Sequence, residues 1–155
     1  NGCLARALEL SDIEQLCQAG VDDRGRPYGI GRIGAVHRSG LSAGEYAAYV
    51  KERLNSACVR FVDGGRPVHR VAVGGGACGS MMEDAIAQGC DTFVTADLKY
   101  NQFLNARALR LNLLDAGHFP TENVVCAPLA RRLEKAFPQL EVAVSRVHKE
   151  VYSNA

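Results

Sequence analysis

One feature constrains this chain more than any other: strand-like and helix-like runs alternate from residue 68 to residue 147. The pattern predicts strands at 68–73, 91–96, 111–116 and 139–147, with helices at 81–89, 100–109 and 122–137 between them. A strand followed by a crossover helix and another strand is the βαβ unit, whose strands lie parallel. Just upstream, "CVRFV" (58–62) and "VHRVAV" (68–73) flank the turn-like "DGGRP" (63–67), which predicts a hairpin and one antiparallel pairing. The expected fold class is therefore α/β, with a mixed, mainly parallel sheet and flanking helices. A chain of 155 residues suffices for one such domain with a sizeable core.

The segment before residue 58 is less regular. Leu4, Ala5, Leu8 and Leu10 make a short helical pattern, and 12–17 a short strand. Glycine, aspartate and proline crowd 20–29, which reads as a loop. Residues 1–27 are thus expected to be the less regular part of a single domain. "YGIGRIGAV" (28–36) suggests a strand with close backbone approaches. Ser42 followed by Glu45 is a capping box, opening a helix whose apolar stripe includes Tyr46, Tyr49, Val50 and Leu54. Pro128 inside the 122–137 run predicts a kink or an extended first turn.

Composition narrows the function classes. The chain is 47% hydrophobic and 23% charged, with a net charge of +1, which gives no support for a nucleic-acid or membrane-surface partner. No apolar run approaches the roughly 20 residues of a spanning helix. Cys3, Cys17, Cys58, Cys78, Cys90 and Cys126 show no C-x-x-C pair, so reduced and partly buried thiols in a cytoplasmic protein are expected. The first residue is Asn1, and the opening reads as a helix already under way, so a piece of a longer chain is expected.

In open α/β sheets ligands bind beyond the carboxyl ends of the strands. Three such ends carry polar groups here: "VAVGGGACGS", "TFVTADLKYN" and "LLDAGHFPTE". In the first, glycines and a helix start could receive an anion through Gly75, Gly76 and Ser80. The bland alternative is a tight turn with Ser80 and Glu83 as a second capping box. In the second, Asp97 is a ligand, an orienting group or a general base, or else it caps the next helix. In the third, Thr121 is a good N-cap with His118 just outside the helix. His118 and Glu122 together suit zinc, iron or manganese. Alternatively Glu122 only complements the helix dipole and His118 is a solvated loop residue. His37, His69 and His148 lack a supporting context.

Glycine loop, Thr95-x-Asp97 and Gly117-His118-x-x-Thr121-Glu122, in this order and spacing, resemble the NIF-three-like dinuclear metal-centre family, often catalogued as GTP cyclohydrolase I type 2 homologs. The resemblance runs from about Gly31 to Val147, and "LARALEL" near the start is similar too. It implies two divalent metal ions (zinc, iron or manganese) in a cleft between two α/β lobes, of which this chain is one. It also implies a homohexamer. His118 and Glu122 match the family's ligands. The family's other ligands, a His-His pair and an aspartate, belong to its N-terminal half, and this chain has no His-His pair. Two departures stand out: Ala96 replaces a common glycine, and Asn101 stands where a histidine is frequent.

The resemblance implies metal-assisted hydrolysis, cyclohydrolase-like or phosphoesterase-like. His118 and Glu122 would hold metal, and Asp97 would orient water or ligand. Gly75, Gly76 and Ser80, backed by Lys99, would receive the anionic group of a nucleotide or other phosphate-containing small molecule. The alternative is a non-catalytic metal-binding or regulatory module that works as a ring. With two candidate ligands against the roughly four of a closed site, the isolated chain is expected to bind metal weakly or not at all and to be inactive.

Overall fold

The computed structural model describes residues 1–38 and 40–153. Six strands form one sheet: β1 (Ser11–Val21), β2 (Pro27–Ala35), β3 (Arg60–Val62), β4 (Arg70–Val73), β5 (Thr92–Thr95) and β6 (Asn112–Asp115), in the order β1-β2-β4-β5-β6-β3. The helices are α1 (Gly2–Ala7), α2 (Ala43–Leu54), α3 (Met82–Ala87), α4 (Tyr100–Ala108), α5 (His118–Asn123) and α6 (Cys126–Ala136). No helix among the described residues is long and apolar enough to cross a membrane.

The centre of the sheet follows from its sequence. β4, β5 and β6 are parallel and buried along almost their whole length, as strands covered on both faces are, with apolar centres and, in β5 and β6, polar residues at both ends. Their residues alternate between two cores. Val71, Val73, Val94 and Leu114 pack with Leu4 and Leu8 of the N-terminal segment and with Tyr46 and Val50 of α2. Ala72, Phe93 and Leu113 pack on the opposite face with Met82 and Ala85 of α3 and Ala106 of α4. Burying a Val, Leu or Phe side chain contributes about 1.5–3 kcal/mol, so this two-sided packing is what holds the three strand ends level. The Ser42–Glu45 capping box forms as expected, with Glu45 N donating to the Ser42 hydroxyl at 3.3 Å and Ser42 N to the Glu45 carboxylate at 2.8 Å.

Elsewhere the sheet departs from the expectations. Its outer pairings, β1 with β2, β2 with β4 and β3 with β6, are antiparallel, so the parallel character is confined to the centre. The predicted hairpin between 58–62 and 68–73 does not exist: β3 pairs with β6 at the far edge of the sheet. Asn112 decides this. Its Oδ1 accepts from Gly64 N at 2.9 Å and its Nδ2 donates to Arg66 O at 2.9 Å, so "DGGRP" crosses beneath β6 instead of turning back. A side chain at Gly64 would sit 2.5 Å from the Leu111 backbone, so only glycine permits that crossing.

Residues 1–27 are more regular than expected, since they hold α1 and the 11-residue β1. Conversely, 139–147 forms no strand. Its alternating pattern finds no neighbouring strand among the described residues, and Leu140, Val144 and Val147 stay exposed.

Candidate metal centre at the carboxyl rim of the sheet

The three strand ends meet on one rim, as the parallel centre requires. α5 begins at His118, earlier than expected, because Gly117 (φ 88) occupies the N-cap position and Pro120 fits a first turn whose amides need no helical partner. His118 and Glu122 therefore lie one turn apart on the same helix face, with Nε2 3.3 Å from Glu122 Oε2. The helix breaks after Asn123, and α6 resumes at Cys126 with Pro128 in its first turn, so the expected interruption falls upstream of the proline.

Thr121 is not the N-cap. It is buried one turn inside α5, and its Oγ1 accepts from Gly76 N at 3.0 Å while donating back toward Gly117 O or His118 O, each at 2.9 Å. Thr95 plays the matching role from β5: its Oγ1 donates to Gly76 O at 2.9 Å and accepts from Cys78 N at 3.1 Å. Two threonines from two motifs thus clamp one glycine loop. Gly76 has φ +67, and a Cβ there would fall 2.6 Å from Glu122 Oε1 and 3.1 Å from His118 Nε2. Glycine is needed at this spot because the imidazole and the carboxylate come down over it.

Asp97 does not cap α4, whose N-cap is Lys99. Held at φ 54, it faces His118, and its Oδ2 lies 2.6 Å from His118 Nδ1. This hydrogen bond is the main cause that raises the His118 pKa above the ordinary imidazole value; slight burial acts the other way, and Glu122 adds to the rise. With Nδ1–H directed at Asp97, the lone pair of the neutral ring is on Nε2, toward Glu122.

The remaining expected site residues are placed differently. The amides of Gly75 and Gly76 are already engaged, by Asn1 Oδ1 at 2.7 Å and by Thr121. Ser80 sits in a single 3-10 turn, Gly79–Met81, and the helix after it is N-capped by Met81 with no side-chain bond, so the Ser80–Glu83 box does not form. Lys99 is exposed at the start of α4, its amide bonded to the Gln102 side chain at 2.8 Å. Two residues that sequence reasoning left out tie the rim together. Buried Asp115 accepts from Leu98 N at 3.0 Å, from Gly117 N at 3.2 Å and from Arg60. An aspartate closing a buried strand just before a glycine was the available signal. Among the described residues no group of three or more His, Cys, Asp or Glu has metal-holding geometry.

Fold and rim together define an α/β protein of the kind that gathers its polar groups beyond the carboxyl ends of parallel strands. The chain belongs to the Duf34/NIF3 (NGG1p interacting factor 3) family, whose model matches residues 1–151. It is 35% identical over 109 residues to a GTP cyclohydrolase 1 type 2 homolog from Staphylococcus epidermidis, an alignment covering 70% of this chain and 29% of that protein. The chain thus spans under a third of the length of the curated relatives it matches. Its fold is that of a Staphylococcus aureus hypothetical protein, with TM-score 0.89 and 23% identity over 100% of this chain and 63% of the other. A Bacillus cereus protein related to NIF3 is also similar, with TM-score 0.86 and 19% identity over 100% of this chain and 69% of the other.

Proposed function

We propose that this chain supplies His118 and Glu122 to a dinuclear divalent-metal site, and that the whole protein is a metal-dependent hydrolase of the GTP cyclohydrolase 1 type 2 homolog kind. One observation carries the reading. The His118 imidazole is backed by the Asp97 carboxylate at 2.6 Å, and its other nitrogen stands 3.3 Å from Glu122 over the bare backbone of Gly76. A carboxylate behind a histidine is the usual support of a metal-ligating imidazole, since it sets the tautomer and raises the basicity of the free nitrogen. The residues fit zinc, iron or manganese.

Within this reading Asp97 is a positioning residue for His118, and its free Oδ1 can accept from a bound water or ligand. Gly76 keeps the space between the two ligands open. When bound, divalent metal supplies an activated water and a clamp for a substrate oxygen. The remaining ligands come from outside the described residues, and the complete protein is a homo-oligomer, a hexamer on the family pattern. The substrate is a nucleotide or another phosphate-bearing small molecule.

Zinc and manganese titrations of the isolated chain by calorimetry provide the test. Weak binding abolished by His118→Ala, and weakened by Asp97→Asn, is the expected result. Stoichiometric binding that survives dialysis would refute the half-site. Binding unchanged in His118→Ala would refute the assignment altogether. The two-donor count among the described residues also favours a second reading, a non-catalytic metal-binding module. A full-length, metal-loaded protein that turns over neither nucleotides nor phosphodiesters would decide for it.

A further inference from the structure

Asp97 and His118 stand on separate loops, one after β5 and one after β6, so connectivity alone does not fix their 2.6 Å contact. Asp97 is also held at φ 54, a region that residues with side chains seldom occupy. Each loop is pinned where it leaves its strand: Ala96 N donates to Gly76 O at 3.0 Å, and Ala116 N to Thr95 O at 2.8 Å. Further along, both loops converge on one side chain, Asp115. Its Oδ2 accepts from Leu98 N at 3.0 Å, just after Asp97, and its Oδ1 accepts from Gly117 N at 3.2 Å, just before His118. The Leu98 amide fixes the direction in which the chain leaves Asp97. The Gly117 amide fixes where α5 starts.

Arg60 locks this carboxylate from the neighbouring strand. The antiparallel register of β3 on β6 sets Arg60 directly opposite Asp115. Its Nη2 donates both to Asp115 Oδ2 and to Leu98 O, the latter at 3.2 Å, so both polar groups of the Leu98 backbone are tied. The guanidinium lies 5.5 Å from the centre of the Phe103 ring, which steadies it from α4. A hairpin of β3 with β4 would place Arg60 elsewhere; the crossing of "DGGRP" beneath β6 is what brings it here. The Asp115 side chain is only 7% exposed. A carboxylate so buried is sustained by its pairing and hydrogen bonds. Asparagine cannot take its place, because the amide nitrogen would meet an N–H donor on one side or the other.

We propose that Arg60 and Asp115 are positioning residues for the candidate metal centre. Together they set the Asp97–His118 contact, and through it the tautomer that leaves His118 Nε2 free toward Glu122. The use of that tautomer for metal rests on the function proposed above; the brace itself does not. The first test therefore needs no metal. Imidazole nitrogen chemical shifts of the metal-free chain at about pH 9, above the imidazole range, report which nitrogen of neutral His118 carries the proton. Nδ1–H is expected in the wild type. Asp115→Asn and Arg60→Gln are both expected to move the proton toward Nε2. Zinc titration of the same proteins by calorimetry is expected to show affinity about tenfold weaker in Asp115→Asn. The Arg60 side chain is 60% exposed, so Arg60→Gln is expected to stay folded and decides the question if Asp115→Asn does not fold. Ser42→Ala is the control, since the Ser42 side chain bonds only within the start of α2. It is expected to lower stability and keep the wild-type tautomer. Three results overturn the proposal: a wild-type ring protonated on Nε2, an unchanged tautomer in Arg60→Gln, or the same tautomer change in Ser42→Ala. Zinc separates the two ideas. Zinc binding lost in His118→Ala, with the tautomer unchanged in Arg60→Gln, sinks this inference and keeps the metal site. A tautomer lost in the Arg60 and Asp115 variants, with zinc bound by no protein of the set, does the reverse.

Discussion

Thr121→Val tests the claim that the glycine loop is held from α5. Valine keeps the shape of threonine and removes only the hydroxyl. The Gly76 amide, which now donates to Thr121 Oγ1 at 3.0 Å in a buried setting, loses its acceptor. A buried donor left unsatisfied costs about 1–3 kcal/mol. The hydroxyl proton, shared between Gly117 O and His118 O at 2.9 Å each, is a single bond back onto the helix and adds little. A loss of about 2 kcal/mol is expected, which for a chain of this size lowers Tm by about 4–8 °C. Urea unfolding followed by circular dichroism measures it: the midpoint shifts and the slope does not. Thr121→Ser retains the hydroxyl and forfeits a methyl, so it is expected to lose about 1 kcal/mol. If Thr121→Val is as stable as the wild type, or more stable than Thr121→Ser, the loop is not held by this hydroxyl and the argument for the clamp fails.

Other substitutions probe other parts. The Tyr46 hydroxyl is buried at 1% exposure with no partner among the described residues, so Tyr46→Phe is expected to raise stability by about 1 kcal/mol in the same unfolding assay; a loss contradicts the packing described. Asp115→Ala strips acceptors from Leu98 N and Gly117 N and leaves Arg60 without its partner. Because Arg60 is 60% exposed, the cost is expected at about 2–3 kcal/mol, below that of a fully buried pair. At α2, Ser42→Ala is expected to cost about 1 kcal/mol near neutral pH. Glu45 there has a pKa lowered by its hydrogen bonds from the Ser42 amide and hydroxyl. A depressed carboxylate contributes stability that is complete above its unfolded value and is lost as pH falls through the folded one. The Ser42→Ala deficit is therefore expected to shrink as the pH falls below about 4, and a deficit constant down to the acid transition refutes the coupling.

How much could be read in advance depended on range. The capping box of Ser42 and Glu45 spans three residues and was visible, as were the three central strands, whose buried runs need no distant information. The partner of β3 was invisible because the deciding group, the Asn112 side chain, lies 48 residues beyond Gly64. Two apolar runs around a glycine-rich joint look the same whether they turn back or cross under. The start of α5 was misplaced because Thr121 has the chemistry of a cap. Its hydroxyl is instead used across the site, on a loop 45 residues earlier. At the glycine loop the sequence left an anion site and a tight turn both open, and the Gly75 and Gly76 amides that an anion would use are engaged by Asn1 and Thr121, side chains 74 and 45 residues away. At 139–147 the pattern of a strand was present, but a strand needs a neighbour, and pattern alone does not provide one.

The double clamp on the glycine loop also bears on folding order. Gly76 is held by hydroxyls 19 and 45 positions further along the chain. The first arrives only when β5 docks beside β4, and the second only when α5, which follows β6, is in place. Such contacts of long sequence separation are paid for late, after loop closure. A partly folded form that lacks β6 therefore lacks the arrangement in which His118 and Glu122 lie over Gly76.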